Sequence, residues 1–561
     1  MRSKLSHKGT LLLAVIIHIV LSFVWERIVF RNVGINPSST KVISYVISDK
    51  GEIALTYILT HLFAALMIYL LWRLLFYVFS DFKKEYIVWV TIFLLGAVAI
   101  FVLWPEVLTG LAGYDDNLVT YSCAVRLTPD YWHGVYSSII YAAILLVCPF
   151  NFFITLFQWG FFVYVLAYIF VRLNRVKSGA GYLVLPVFLL PSVLYVASNG
   201  HRMFHFTILA IWYTAVIAMD LYTQKERTFF EYAKVAFLGA FLSVFRSEGI
   251  IIGVLFFGIY ALFGPDAGFR KVIGRIAVFA VIFVLLYLPG TIGSKKYYGK
   301  DYSLMNTFDV LCYILNSYDC NLFYEGADED TAAISAVVPI DVIRFGGAES
   351  YRRYNYNIKG NSDINQSYTS AAEGSAYMSA YRSIVKNNLK PFVRAQVNTV
   401  MSAFGLGAVY PMGNYKGEPV SLDGWHYIGW DNGIEDFYAD RFTKNWYENA
   451  TRRKIAVYVL NFRERYLSFA KNRKLYILSA GLLVLTGISL TVRGVCAFFK
   501  KKDRIRLSIG FMWLACIIGF GAVCAVMPTY SSIYFISSIY CLLTLLCLTV
   551  CNEWNMRTKK Q

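Results

Sequence analysis

Two adjacent carboxylates, Asp115 and Asp116, stand in LAGYDDNLVTYSC (111–123), between two apolar stretches. Acids so close to lipid need a reason, because a charge that can be drawn into hydrocarbon is costly. A carboxylate at a membrane border can take the proton of an acceptor hydroxyl as the anomeric carbon of a lipid-borne sugar is attacked. Neighbouring side chains diverge, so one of the pair would face such a site. The other could hold a divalent cation or cap a helix. The plain alternative is a solvated loop with Asp116 as an N-cap.

Other polar residues stand at comparable borders. FLSVFRSEGIII (241–252) joins two apolar runs through a tight turn holding Arg246 and Glu248. The planar fork of Arg246 suits a lipid phosphate, although Glu248 could neutralise it internally. Arg202, in ASNGHRMFH (197–205), is a second candidate phosphate partner, flanked by His201 and His205. His133 carries the same ambiguity between structural hydrogen-bonder and catalyst. Glu26 is a rival acid, but Arg27 follows it and predicts a local ion pair. DGWHYIGWDNG (423–433) supplies Trp425, His426, Trp430 and Asp431, a set that could stack on and hydrogen-bond a sugar acceptor or form an aromatic core. No P-loop, GxGxxG, GxSxG or HExxH motif occurs, and no CxxC or Cys/His cluster suggests zinc.

The elements that would position these groups are membrane helices. The 561 residues are 57% apolar and 16% charged, and soluble domains carry about 25% charged residues. Twelve spans are predicted, at 9–25, 54–79, 86–104, 153–171, 180–198, 203–221, 231–247, 249–264, 273–290, 474–492, 507–527 and 531–550. The run 134–150 is apolar enough to be a thirteenth, and charge decides against it. With 134–150 kept at the outer surface as a juxtamembrane or re-entrant helix, the cytoplasmic segments hold 24 Lys and Arg against 8 Asp and Glu. That is the positive-inside pattern, with both termini in the cytoplasm of a multi-pass protein of the cytoplasmic membrane. The net charge of +18 then reflects orientation among membrane lipids, not a nucleic-acid surface.

The expected fold is therefore an α-helical polytopic membrane protein of about 12 transmembrane helices, with an outer juxtamembrane helix and a small mixed extracytoplasmic domain. Its parts are a transmembrane domain over 1–292 with the acidic outer loop 105–152, the extracytoplasmic region 293–470, and C-terminal helices over 471–561. Within 293–470 the clearest helix is 375–404, kinked near Pro391. It carries Lys386, Lys390 and Arg394, suiting either a leaflet surface or a packed small domain. Cys312 and Cys320 fall in the same region, as a disulfide or as two thiols.

The order of these features resembles the GT-C superfamily of membrane glycosyltransferases: acids in an early outer loop, here Asp115-Asp116, then a surface helix, here 134–150, then many spans and a late extracytoplasmic region. VFRSEGIII (244–252) resembles an Arg-x-x-Gly element near outer helix ends in such families. Two extra spans, 9–25 and 54–79, stand ahead of the acidic loop, where such families commonly have one span before it, and His133-Gly134 stands in place of a histidine-proline element. The resemblance implies transfer of a sugar, with inversion, from a polyprenyl-phosphate donor to a glycan or lipid acceptor. Asp115 or Asp116 would be the base and Arg246 a ligand of the donor phosphate. The rivals are a polysaccharide polymerase or ligase, and a transporter or flippase, for which His18 and His61 are the mid-span ionisable groups.

Overall fold

The computed structural model describes residues 7–30, 50–80, 84–103, 120–131, 134–188, 202–246, 248–265, 268–298, 307–337, 339–340, 371–403, 473–526 and 536–558. Among them the secondary structure is helical, with no strand. The chain is an α-helical membrane protein, and seven of its described helices are long and apolar enough to cross a bilayer. The amino-terminal part runs α1 (His7–Val29), α2 (Lys50–Ser80), α3 (Lys84–Leu103), the short α4 (Tyr121–Val125), α5 (Val135–Val147), α6 (Asn151–Val176) and the short α7 (Val184–Phe188). It continues through α8 (Arg202–Thr223), α9 (Phe229–Phe245), α10 (Gly249–Phe263) and α11 (Phe269–Tyr298).

Helix α8 is the post on which the others stand. Nearly every residue from Arg202 to Leu221 is buried, and a helix apolar on all sides must be enclosed on all sides. It packs against α6, α9 and α10. The carboxyl-terminal helices α16 (Arg473–Lys501), α17 (Arg504–Val526) and α18 (Ile536–Thr558) close the remaining side, and α18 runs against α8. One hydrophobic core therefore joins residues from both ends of the chain, such as Phe204, Tyr213, Trp513 and Leu545. Around this core, α1, α2, α11 and α16 turn most of their surface outward, with exposed Phe23, Leu62, Leu285 and Leu485. In lipid such faces need no further partner, because hydrocarbon is the solvent they match.

The run 134–150 forms α5, and every residue from Val135 to Leu146 is buried. It is wrapped by α1, α2, α4, α6 and α9. The expected surface helix is thus covered by protein on all sides. Thirteen residues at 1.5 Å each reach about 20 Å, short of the ~30 Å hydrocarbon thickness, as suits a re-entrant or core helix.

Several expected spans also differ in detail. Of 180–198, the described part is a 3₁₀ turn, Ala180–Leu183, and the five-residue α7. The runs 231–247 and 249–264 become α9 and α10, of 17 and 15 residues. The expected Glu26–Arg27 pair gives way to contacts with α2. A helix displays neighbouring residues in different directions, so Glu26 reaches Tyr57 and His61 while Arg27 lies over Phe23.

The described part of 293–470 has its own small core, made by α12 (Phe308–Leu315), α13 (Ala327–Val337), α14 (Ala371–Asn387) and α15 (Leu389–Ala403) around Leu311, Ile334, Tyr377 and Ile384. The helix predicted over 375–404 is broken at Asn388, whose side chain bonds the backbone of Asn321. Pro391 sits in the first turn of α15, where its missing N–H costs no helical bond. Lys390 and Arg394 reach Asp319, at 3.3 and 3.1 Å, while Leu389, Val393 and Val397 on the same helix stay exposed, so α15 has both a packed and an open apolar side. Cys312 and Cys320 are thiols, not a disulfide.

The Ser317 hydroxyl donates to Asp319, and with Lys390 and Arg394 it holds that carboxyl below the usual range. A depressed folded-state pKa contributes stability above the ordinary carboxylate pKa, and the contribution fades as pH falls through the folded value. Asp319→Asn is therefore expected to speed proteolysis near residues 316–326 at neutral pH. The difference from wild type should shrink in acid, measured by limited digestion at several pH values.

Candidate functional site

One group of polar side chains lies at one end of the bundle. There α5, α8 and α10 begin, while α9 finishes. Helix α9 stops at Phe245, the backbone extends at Arg246, and the Gly249 N–H closes the turn on the Arg246 carbonyl at 3.0 Å. Gly249 is needed for this, since a Cβ there would lie 2.0 Å from the Leu242 carbonyl oxygen. Phe206, in the second turn of α8, stacks on Phe245 with 6.4 Å between centroids. Gly134, just ahead of α5, has φ of 109° and presses against the same residue, where a Cβ would lie 2.7 Å from the Phe245 carbonyl. Two independent constraints thus demand glycine at 134. The late turns of α11 complete the end: Tyr136 donates to the Leu286 carbonyl at 2.9 Å, and Tyr131 packs against Gly293.

Arg246 is held inside its own turn. Its Nε and Nη2 donate to the two carboxylate oxygens of Glu248 at 3.1 and 2.9 Å, and the two side chains are 10% and 8% exposed. The internal neutralisation weighed from the sequence is the observed arrangement. A phosphate reaching Arg246 would share the guanidinium with this carboxylate. Arg202 opens α8 and is buried, and His205, one turn on, meets the ring of Tyr141 edge-on at 5.8 Å. Arg202, His205 and the Arg246–Glu248 pair are thereby brought to one end of the bundle, from two separate turns of the chain.

Asp115 and Asp116 lie outside the described residues, as do His133, His201, Trp425, His426, Trp430 and Asp431. Thr120, four residues after Asp116, is anchored. Its hydroxyl donates to Asp130 at 2.7 Å, and the Asp130 N–H donates to Ser138 in α5 at 3.0 Å. Asp130 is fully buried. It pins the chain leaving the acidic stretch to the start of α5. Sequence reasoning passed over this residue. Its signal is TPD (128–130), a lone acid after proline and just ahead of a wholly apolar helix.

A second polar string lies between α1 and α2. His18, Ser22 and Glu26 recur every four residues on one face of α1, and Tyr57 and His61 do the same on α2. His18 Nε2 and His61 Nδ1 are 3.0 Å apart. The other nitrogen of His61 lies 3.6 Å from Glu26, which also accepts from Tyr57 at 3.2 Å. The sequence offered these histidines as separate mid-span groups, and the fold makes them neighbours. Among the described residues no three or more His, Cys, Asp or Glu gather as a metal site.

No family model matches the chain, and neither does any curated protein or solved structure.

Proposed function

We propose that this chain is a membrane glycosyltransferase that moves a sugar from a polyprenyl-phosphate donor to a glycan or lipid acceptor. One observation carries the reading. Thr120, four residues after Asp116, is bonded through Asp130 to the bundle end where Arg202 and Arg246 lie. Thr120, which follows the acidic stretch, and the two candidate phosphate ligands thus lie at one end of the bundle, and this supports the reading. On this reading Asp115 or Asp116 removes the acceptor proton, and the other can hold a divalent cation. Arg202, with Arg246 steadied by Glu248, offsets the charge growing on the departing lipid phosphate. Trp425, His426, Trp430 and Asp431 would belong to the acceptor side. The charge asymmetry of the loops makes this end the outer face of the cytoplasmic membrane, with twelve spans and both termini inside.

The test is transfer of label from radiolabelled polyprenyl-phosphate sugars to a panel of glycan and lipid acceptors by the purified protein. Turnover with some donor supports the reading, and turnover with none overturns it.

A proton-coupled transporter is the second reading, favoured by the 3.0 Å contact of His18 with His61 and the Glu26 carboxylate beside them. It expects a pH gradient across sealed vesicles to drive movement of a labelled polyprenyl-phosphate sugar, and His18→Leu to abolish that movement. Movement that ignores both the gradient and the substitution would dismiss it.

A further inference from the structure

At the opposite end of the same helices, where α8 and α10 finish and α9 and α11 begin, lies a cavity of about 450 Å³. Ligand pockets commonly enclose roughly 300–1,000 Å³. Among the described residues three cations line it, Arg227, Lys271 and Arg275, against one acid, the exposed Glu226. Arg227 is fixed from behind by Asp220, which takes its Nε and Nη2. Arg275 is fixed by backbone: its guanidinium donates to the carbonyls of Ala261 and Pro265 at 3.3 and 2.6 Å and lies 4.8 Å over the Tyr232 ring. Carbonyl oxygens orient a guanidinium without cancelling its charge. Tyr232, itself a wall of the cavity, is 9% exposed, and its hydroxyl is buried with no hydrogen-bond partner among the described residues. A buried hydroxyl in a cationic cavity calls for an acceptor, and the acceptor that suits such walls is an anionic oxygen.

The surroundings bear on the source of that oxygen. Phe229, Phe230 and Phe269 stand 67%, 76% and 81% exposed around the starts of α9 and α11, and α11 is among the helices apolar enough to cross a bilayer. Exposed aromatic rings beside cations, at the ends of apolar helices, are the composition of a membrane–water border. We propose that this cavity is a phosphate-binding site at the membrane surface, with Lys271, Arg275 and the Tyr232 hydroxyl holding the phosphate oxygens. A phospholipid headgroup and a soluble phosphate share this chemistry. The site lies at the opposite end of the bundle from the proposed sugar-transfer end, and does not depend on that activity.

The experiment uses the full purified chain, stripped of lipid in detergent. Retention of dioleoylphosphatidylglycerol against dioleoylphosphatidylcholine is read by native mass spectrometry. Thermal stability is read in parallel with and without inorganic phosphate. The variants are Lys271→Gln, on an exposed position of the first helical turn, and Tyr232→Phe, which removes only the hydroxyl. A preference of about tenfold or more for the anionic lipid, lowered in both variants, is the expected result. A stabilisation by inorganic phosphate that both variants lose, without lipid preference, supports the site and identifies a soluble phosphate as its source. The proposal is overturned if wild type shows neither effect, or if either effect persists unchanged in both variants.

Discussion

Glu248→Ala is expected to destabilise the folded protein by about 3–5 kcal/mol, because it removes the carboxylate that accepts from both Nε and Nη2 of the buried Arg246. The pair spans only two residues, yet three helices depend on its turn. Phe245, just before it, stacks on α8 and touches Gly134 ahead of α5, and Gly249, just after it, packs on Phe206 and the Leu242 carbonyl. Arg246→Ala should cost a similar amount, since it removes the guanidinium that both Glu248 oxygens accept from. Replacing both together, as Arg246→Met with Glu248→Leu, should recover most of the loss, because the desolvation cost of the two charges disappears with them. Unfolding of the purified protein in detergent, followed for all four forms, measures the coupling. The double variant also separates two roles. If Arg246 only holds the turn, a well-folded double variant keeps sugar transfer. If Arg246 also meets the donor phosphate, that variant folds but transfers poorly.

The fold class was legible because hydropathy reports lipid contact directly. The long exposed helices α1, α2, α11 and α16 fall where apolar runs predicted them. The interior was harder. Helix α5 reads as apolar whether it faces lipid, water-side protein or a closed core. Charge counting argued against a crossing, but it could not show that Val135–Leu146 would be enclosed on every side. Hydropathy likewise could not show that the runs 231–247 and 249–264 would form helices of only 17 and 15 residues, because it measures the sum over a run and not its helical length.

Within the site, Arg246 and Glu248 were legible as a pair because they are two residues apart. Asp130 was not, because its partner Thr120 is ten residues away and its role depends on Ser138 in the next helix. The His18–His61 contact spans 43 residues. Only the four-residue spacing of His18, Ser22 and Glu26 on one helix, matched by Tyr57 and His61 on the next, foreshadows it. The basic cavity brings together Arg227 and Tyr232, around the start of α9, with Lys271 and Arg275, at the start of α11, a convergence that no local pattern encodes.

Asp115→Asn and Asp116→Asn carry the other large expected effect. Asparagine keeps the size of the side chain and its hydrogen-bonding reach but cannot accept the acceptor's proton. General-base catalysis contributes about 10²–10⁴ in rate, so substitution of the acting carboxylate should slow transfer by that factor. The partner acid should show a smaller loss, relieved by added divalent cation if it serves as a cation ligand. Neither change should alter unfolding, since Thr120, Asp130 and Ser138, which secure the chain just after them, are untouched. The most direct measurement is the initial rate of label transfer from a polyprenyl-phosphate sugar by wild type and by the doubly substituted Asp115→Asn, Asp116→Asn protein. A loss of at least about 10², with the unfolding midpoint preserved, is the predicted result. A doubly substituted protein that transfers at the wild-type rate would contradict the account.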